Sequence, residues 1–186
     1  MKEYIILAGP NGVGKSTIKN ISGDFCGLTY INLDVIVHSL SASDEMHRYT
    51  QAAKIAADQI DACFRRNVSF VQESTLAGKS ILTNVRRAKD AGYRVVIHFI
   101  GVDSADICKQ RIRRRVAAGG HGIPDSDVER RYGRSFEAAR ILIPQVDEVY
   151  LYDNGIHFRK VSKYVAGQCI WRCKDLPDWY RKLENG

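Results

Sequence analysis

Gly9-Pro10-Asn11-Gly12-Val13-Gly14-Lys15-Ser16 fits G-x-x-x-x-G-K-[ST] at every fixed position, and the chemistry this spacing serves is the holding of a polyphosphate. Glycines let the backbone wrap closely round an anion with several N–H groups pointing inward. A helix beginning near Lys15 would aim its positive end at the same anion. Lys15 is expected to reach the β and γ oxygens of ATP or GTP, and the Ser16 hydroxyl to ligate Mg²⁺. Thr17 is placed either at the α-phosphate or on the helix surface.

Moving a phosphoryl group requires more: an acceptor hydroxyl held in line, a base for its proton, and cations over the transferring group. Asp34 is the candidate base; its competing role is an N-cap for the helix that follows. Glu73, flanked by Gln72, Ser74 and Thr75, is a candidate for the acceptor or the Mg²⁺ hydration shell, against a cap or a solvated loop charge. Arg111 and Arg115 lie four apart on one helix face. Arg130, Arg131 and Arg134 follow the Gly119-Gly120-His121-Gly122-Ile123-Pro124 connection. Two arginine-bearing helices joined by glycines have the makings of a lid, at about 105–140, that closes over phosphates. Arg113 and Arg114 suit a solvated basic face better. His121 is either a hinge residue or a phosphate contact.

These groups need elements to carry them. Tyr4–Ala8 is a short apolar run that predicts a buried strand. A helix is expected at Lys15–Ser22 and strands at Leu28–Leu33 and Ser69–Gln72. From Glu45 to Asn67, Ala52, Ala56, Ile60 and Phe64 recur every fourth residue, with Ile55 and Cys63 beside them, which predicts an amphipathic helix. Further helices are expected at Lys79–Ala91, Ser104–Ala118 and Asp125–Ile143, with strands at Arg94–Ile100 and Glu148–Tyr152. Asp153-Asn154-Gly155 is expected as a turn. The tail, about 156–186, suggests one or two short strands in His157–Trp171 and a last helical turn or two in Leu176–Leu183. Strands alternating with helices predict an α/β fold: a P-loop three-layer sandwich on a mostly parallel, five-stranded sheet. Ligands then sit at the carboxyl ends of the strands, where Gly9, Asp34 and Glu73 are expected just after the first three.

The 186 residues, 45% hydrophobic and 26% charged, predict one domain over 1–186 with a core large enough to need no staples. Cys26, Cys63, Cys108, Cys169 and Cys173 are odd in number and irregularly spaced. They predict buried thiols in a reducing cytoplasm rather than disulfides or a zinc ribbon. No targeting or membrane-spanning run is visible, so no membrane partner is expected. The net charge of +7 gathers nine basic against four acidic residues between Lys109 and Arg140. That suits a polyphosphate or nucleic acid; without basic residues interleaved with aromatics, a nucleic-acid partner is not expected. The charge keeps open a kinase acting on a nucleoside or nucleic-acid end. A nucleotide-gated binding module with little transferase activity is the reading from another class.

Several blocks together resemble the zeta-toxin-like kinases, over nearly the whole chain up to about Asn154. They are Ala8–Thr17, Ile31-Asn-Leu-Asp34, Glu73-Ser-Thr-Leu-Ala-Gly78, Ala91-Gly-Tyr-Arg-Val95, Arg115-Val-Ala-Ala-Gly-Gly-His-Gly-Ile-Pro124, Arg130-Arg-Tyr132 and Leu151-Tyr-Asp-Asn154. The resemblance implies transfer from ATP or GTP to a sugar hydroxyl of UDP-N-acetylglucosamine. It implies Asp34 as base, Glu73 at the acceptor, and Arg115 and then Arg131 on the phosphates. Beside these, Thr75 is expected with Glu73 at the acceptor, Lys15 in catalysis, and Arg111, Arg130, Arg134 and His121 as lid contacts to phosphate. An antitoxin protein is the partner class it brings in. The chain departs from the family at Leu33, where proline is usual, at Val35, often acidic, and at Ser74, often threonine; these departures are expected on the acceptor side.

Overall fold

A computed structural model describes residues 1–21, 25, 27–41 and 44–185. The sheet holds seven strands: β1 (Glu3–Ala8), β2 (Thr29–Asn32), β3 (Phe70–Ser74), β4 (Arg94–Gly101), β5 (Glu148–Asp153), β6 (Arg159–Val165) and β7 (Gln168–Arg172). Their order is β2-β3-β1-β4-β5-β6-β7. The first five run parallel, and β6 and β7 add antiparallel. The helices are α1 (Lys15–Ile21), α2 (Leu33–Ser39), α3 (Glu45–Arg66), α4 (Ser80–Asp90), α5 (Ala105–Ala117), α6 (Asp125–Leu142) and α7 (Asp178–Asn185).

β1 is apolar from Tyr4 to Ala8 because both of its faces are covered there. Tyr4, Ile6 and Ala8 join the core that takes in α3, α4, α6 and α7. Ile5 and Leu7 join the other, with Val13, Ile18 of α1 and Cys108 and Ile112 of α5. The fourfold apolar repeat of α3 buries Ala52, Ile60 and Cys63 and packs Ile55, Ala56 and Phe64 at the margin. Asp44 caps this helix by accepting from the amides of Met46 and His47, and Asn67 ends it in the left-handed region at φ 57°.

The sheet therefore has seven strands where five are expected from the sequence. The extra pair comes from the tail, whose strands are joined by Ala166 and Gly167 at φ 47° and 78°. Positive φ at both central residues is the hairpin geometry that matches strand twist. The second expected strand stops at Asn32, and Leu33 opens α2 instead. The third runs further than expected, so Glu73 lies inside β3 rather than after it. Asp153 closes β5 and is not a turn residue.

Cys63 and Cys108 are buried free thiols, whereas Cys169 is exposed and Cys173 partly so; burial thus holds for two of these four. Cys26 and Ser22, the expected end of α1, lie outside the described residues. Among the described residues no helix is long and apolar enough to cross a membrane.

Candidate functional site

Register places the site. In the parallel pairing Ala8 stands beside Ser74, and Glu73 stands beside both Leu7 and Asn32. The carboxyl ends of β1, β2 and β3 thus bring the loop Gly9–Gly14, the head of α2 and Glu73 to one edge.

The loop has the shape an anion cradle requires. Gly9, Gly12 and Gly14 take φ of 136°, 76° and 96°, values that side chains with a Cβ rarely adopt. A Cβ on Gly14 would collide with the Asn154 amide. That amide donates to the Val13 carbonyl at 2.8 Å. Lys15 is buried, and its ammonium donates to the carbonyls of Gly9 at 3.0 Å and Pro10 at 3.1 Å. It lies 3.7 Å from the Glu73 carboxylate. Burial lowers the Lys15 pKa, while Glu73 first and Asp34 second push back toward the charged form.

Glu73 is wired from below. It accepts from the Tyr30 hydroxyl and, at 2.7 Å, from the Asn32 amide. Asn32 is also the N-cap of α2, its oxygen accepting from the amides of Asp34 at 2.8 Å and Val35 at 3.2 Å. One side chain therefore fixes both the direction of α2 and the orientation of Glu73. The capping role weighed for Asp34 belongs to Asn32, which leaves the Asp34 carboxylate to the cleft.

Two clefts meet here. The first, about 450 Å³, runs from Gly12, Gly14 and Ser16 to Arg111 and Arg115 on α5, with Val35 and His38 on its α2 side. The second, about 190 Å³, is lined by Leu33, Gln72, Ser74, Thr75, Ser80 and Arg131. Asn11, Lys15, Asn32, Asp34 and Glu73 line both. The sequence departures divide accordingly: Leu33 and Ser74 fall in the second cleft, whereas Val35 falls in the first.

The arginines divide as well. Arg111 donates to the carbonyls of Asn154 at 2.6 Å, Gly155 at 3.0 Å and Val13 at 3.4 Å, so it clamps loop to sheet while lining the first cleft. Arg115 lines the same cleft and donates from Nε to the His121 carbonyl at 3.1 Å. Arg131 reaches Asn11 at 3.5 Å and Asp127 at 3.0 Å. Arg130 is exposed and paired with Asp127 at 2.6 Å, and Arg134 is exposed; neither lines the two clefts. Arg113 pairs with Asp125 on the surface. Thr17 donates its amide to Gly14 at 3.0 Å and lines neither cleft. Thr75 lines the second cleft, and its carbonyl accepts from the buried Ser135 hydroxyl. His121 packs on His38 outside the cleft linings. Sequence reasoning did not single out Asn32, Tyr30, Asn154 and Ser135. Asn32 stood in the Ile31-Asn-Leu-Asp34 block and Asn154 at the end of the Leu151-Tyr-Asp-Asn154 block, while Tyr30 and Ser135 left no local signal.

The residues present fit a nucleoside triphosphate with its cation. The cradle is closed to a Cβ at Gly14, its lysine is buried among loop carbonyls, and the exposed Ser16 opens on the cleft. Ser16 would hold Mg²⁺, and Asp34 and Glu73 are the carboxylates that line the same cleft.

Residues 5–138 match the family model AAA_33, described as an AAA domain. A protein of Haemophilus influenzae described as uncharacterized is 31% identical over 128 residues, 69% of this chain and 91% of that one. A chain of the PezAT chromosomal toxin-antitoxin system of Streptococcus pneumoniae superposes with a TM-score of 0.64 at 14% identity, over 98% of this chain and 76% of that one. A chain of the AvrRxo1-ORF1:-ORF2 complex with ATP gives a TM-score of 0.65 at 17% identity over 99% of this chain, which spans 63% of that one's length. At such identities the likeness to the solved structures is one of fold.

Proposed function

The chain belongs to the AAA_33 family of AAA domains, and from that premise we propose that it is a P-loop kinase. It moves the γ-phosphoryl group of ATP or GTP onto a sugar hydroxyl of a small acceptor such as UDP-N-acetylglucosamine. The observation that carries this reading is the shared wall: Lys15, Asp34 and Glu73 line a cleft on the glycine-loop side and a polar cleft on the other. A donor and an acceptor seated on either side meet at those three groups.

In this reading Asp34 takes the proton of the acceptor hydroxyl as its oxygen bonds to the γ-phosphorus. The bond from that phosphorus to the bridging oxygen breaks, and the electron pair leaves on the nucleoside diphosphate. Lys15, Arg115 and Arg131 spread the charge of the moving group, which is where catalysis of this kind gains most. Mg²⁺, which Ser16 would hold, would add to this neutralisation of charge. Glu73 and Thr75 orient the acceptor, and Tyr30 and Asn32 hold Glu73 in place. The same proposal takes 1–186 as one kinase unit with 105–140 as its lid. It includes a protein partner of the antitoxin kind, supported by the likeness to a toxin-antitoxin chain.

Incubation with γ-labelled ATP, Mg²⁺ and UDP-N-acetylglucosamine should place label on the sugar nucleotide. Unlabelled sugar nucleotide at high enzyme concentration would remove that acceptor. Label on a nucleoside or an oligonucleotide end would move the activity to that class. Hydrolysis alone, with no acceptor found in a cell extract, would favour a nucleotide-gated binding module.

A further inference from the structure

Arg115 and Asp34 sit on different elements, and one pair of rings connects them. His38 lies one helical turn beyond Asp34 on α2. Its ring meets that of His121, in the connection between α5 and α6, with centroids 5.0 Å apart and planes at 84°.

The main chain of this connection turns back onto α5. The Gly120 amide donates to the Arg115 carbonyl at 2.8 Å. A Cβ on Gly120 would come within 2.6 Å of the Arg115 Cγ, so only glycine lets the chain lie so close. The His121 carbonyl then accepts from Arg115 Nε at 3.1 Å. With Nε engaged, the guanidinium presents its two terminal nitrogens, and a fork of N–H groups is what grips a phosphate. Residues 119–121 are thus a saddle that aims Arg115 into the cleft it shares with Asp34 and His38.

The His121 ring is held here at a cost. Its Nε2 is buried without a hydrogen-bond partner among the described residues, a state that disfavours the fold and calls for an explanation. We infer that His38 and His121 are positioning residues: their edge-to-face contact ties the saddle that aims Arg115 to the helix that carries Asp34. A single contact then sets the phosphate-facing arginine and the acceptor-facing carboxylate relative to each other.

The inference rests on the proposed nucleotide site, but its test needs no acceptor. ATP differs from ADP by the γ-phosphate, the group Arg115 is aimed at, so the ratio of the two affinities reports on that arginine. With Mg²⁺ present, fluorescence titrations should show Arg115→Ala losing preference for ATP over ADP. His38→Ala and His121→Ala should each lose about 2- to 12-fold of that preference, the span of an aromatic pair. The double variant should lose no more than either alone, because both remove the same contact. His38→Phe keeps a ring in place and should restore the parent ratio. The inference is overturned if the folded single variants keep the parent ratio, if their losses add in full, or if they weaken ATP and ADP alike while lowering the melting temperature. A parent that binds neither nucleotide removes the proposed function and this inference with it. A parent that binds both, with unaltered variants, removes the inference alone.

Discussion

Asn154, the residue after β5, donates its side-chain amide to the Val13 carbonyl of the glycine loop at 2.8 Å, 141 positions away in sequence. The same amide occupies the space a Cβ on Gly14 would need. The loop is therefore braced by the far side of the sheet, and Arg111 adds a second brace by donating to Val13, Asn154 and Gly155. Asn154→Ala removes one brace and leaves every loop residue unaltered. Titration calorimetry with ATP and Mg²⁺ should show an affinity loss of about 2- to 12-fold, the worth of one hydrogen bond.

Asp34 stands between the two clefts without the capping duty that Asn32 performs. Asp34→Asn keeps the shape and removes the proton acceptor. Phosphoryl transfer should fall by about 10²- to 10⁴-fold, the usual range for a lost general base. ATP affinity should stay near that of the parent, or rise slightly with one anion removed from the cleft. Turnover retained at the parent rate would clear Asp34 of the role.

Asn32 has two tasks that substitution can separate. Asp caps helices about as well as Asn, so Asn32→Asp should keep the cap on α2. It would, however, replace the donor to Glu73 by a second carboxylate 2.7 Å away. Transfer should drop sharply, and the repulsion between the two carboxylates should lower the melting temperature near neutral pH. Asn32→Ala should lose both, with a stability cost of about 1 kcal/mol from the cap. Transfer at the parent rate in either variant would show that Glu73 does not depend on this wiring.

What the sequence showed plainly was local. Gly9 to Ser16 carries its chemistry in consecutive residues, and the fourfold repeat of α3 announces its buried face. What it hid depends on register and on distant partners. Glu73 is polar, so composition alone ends the strand at Gln72, and only the pairing with Leu7 and Asn32 extends it. The tail carries little local signal because its anchor is remote: Trp179 is buried against Gly101 and donates from Nε1 to Asp153 at 2.9 Å. His98, Tyr150 and Tyr152 are spread over 55 residues, yet stack on one face with planes 11° and 18° apart.

Acid should unfold this protein through the start of β5. Burial works against the charge of Asp147, but a bond from Lys89 at 2.7 Å and another from the Val95 amide at 2.7 Å overcome it, and its pKa lies below the ordinary value. Glu148 behaves alike: burial opposes its charge, and Tyr150, Arg94 and Lys163 outweigh that. A carboxylate whose folded pKa is depressed stabilises the fold fully above its unfolded pKa, about 3.9 for Asp and 4.3 for Glu. That contribution disappears as pH falls through the lower folded value. The melting temperature should therefore hold between neutrality and about pH 5 and drop steeply below about pH 4. Asp147→Asn keeps an acceptor for the Val95 amide but weakens it and loses the Lys89 pair, itself discounted because the two side chains are 41% and 35% exposed. Its cost at neutral pH should be about 1–2 kcal/mol, and its acid limb should be shallower than the parent's. An acid limb of unaltered steepness in both Asp147→Asn and Glu148→Gln would place the acid-sensitive groups elsewhere in the molecule.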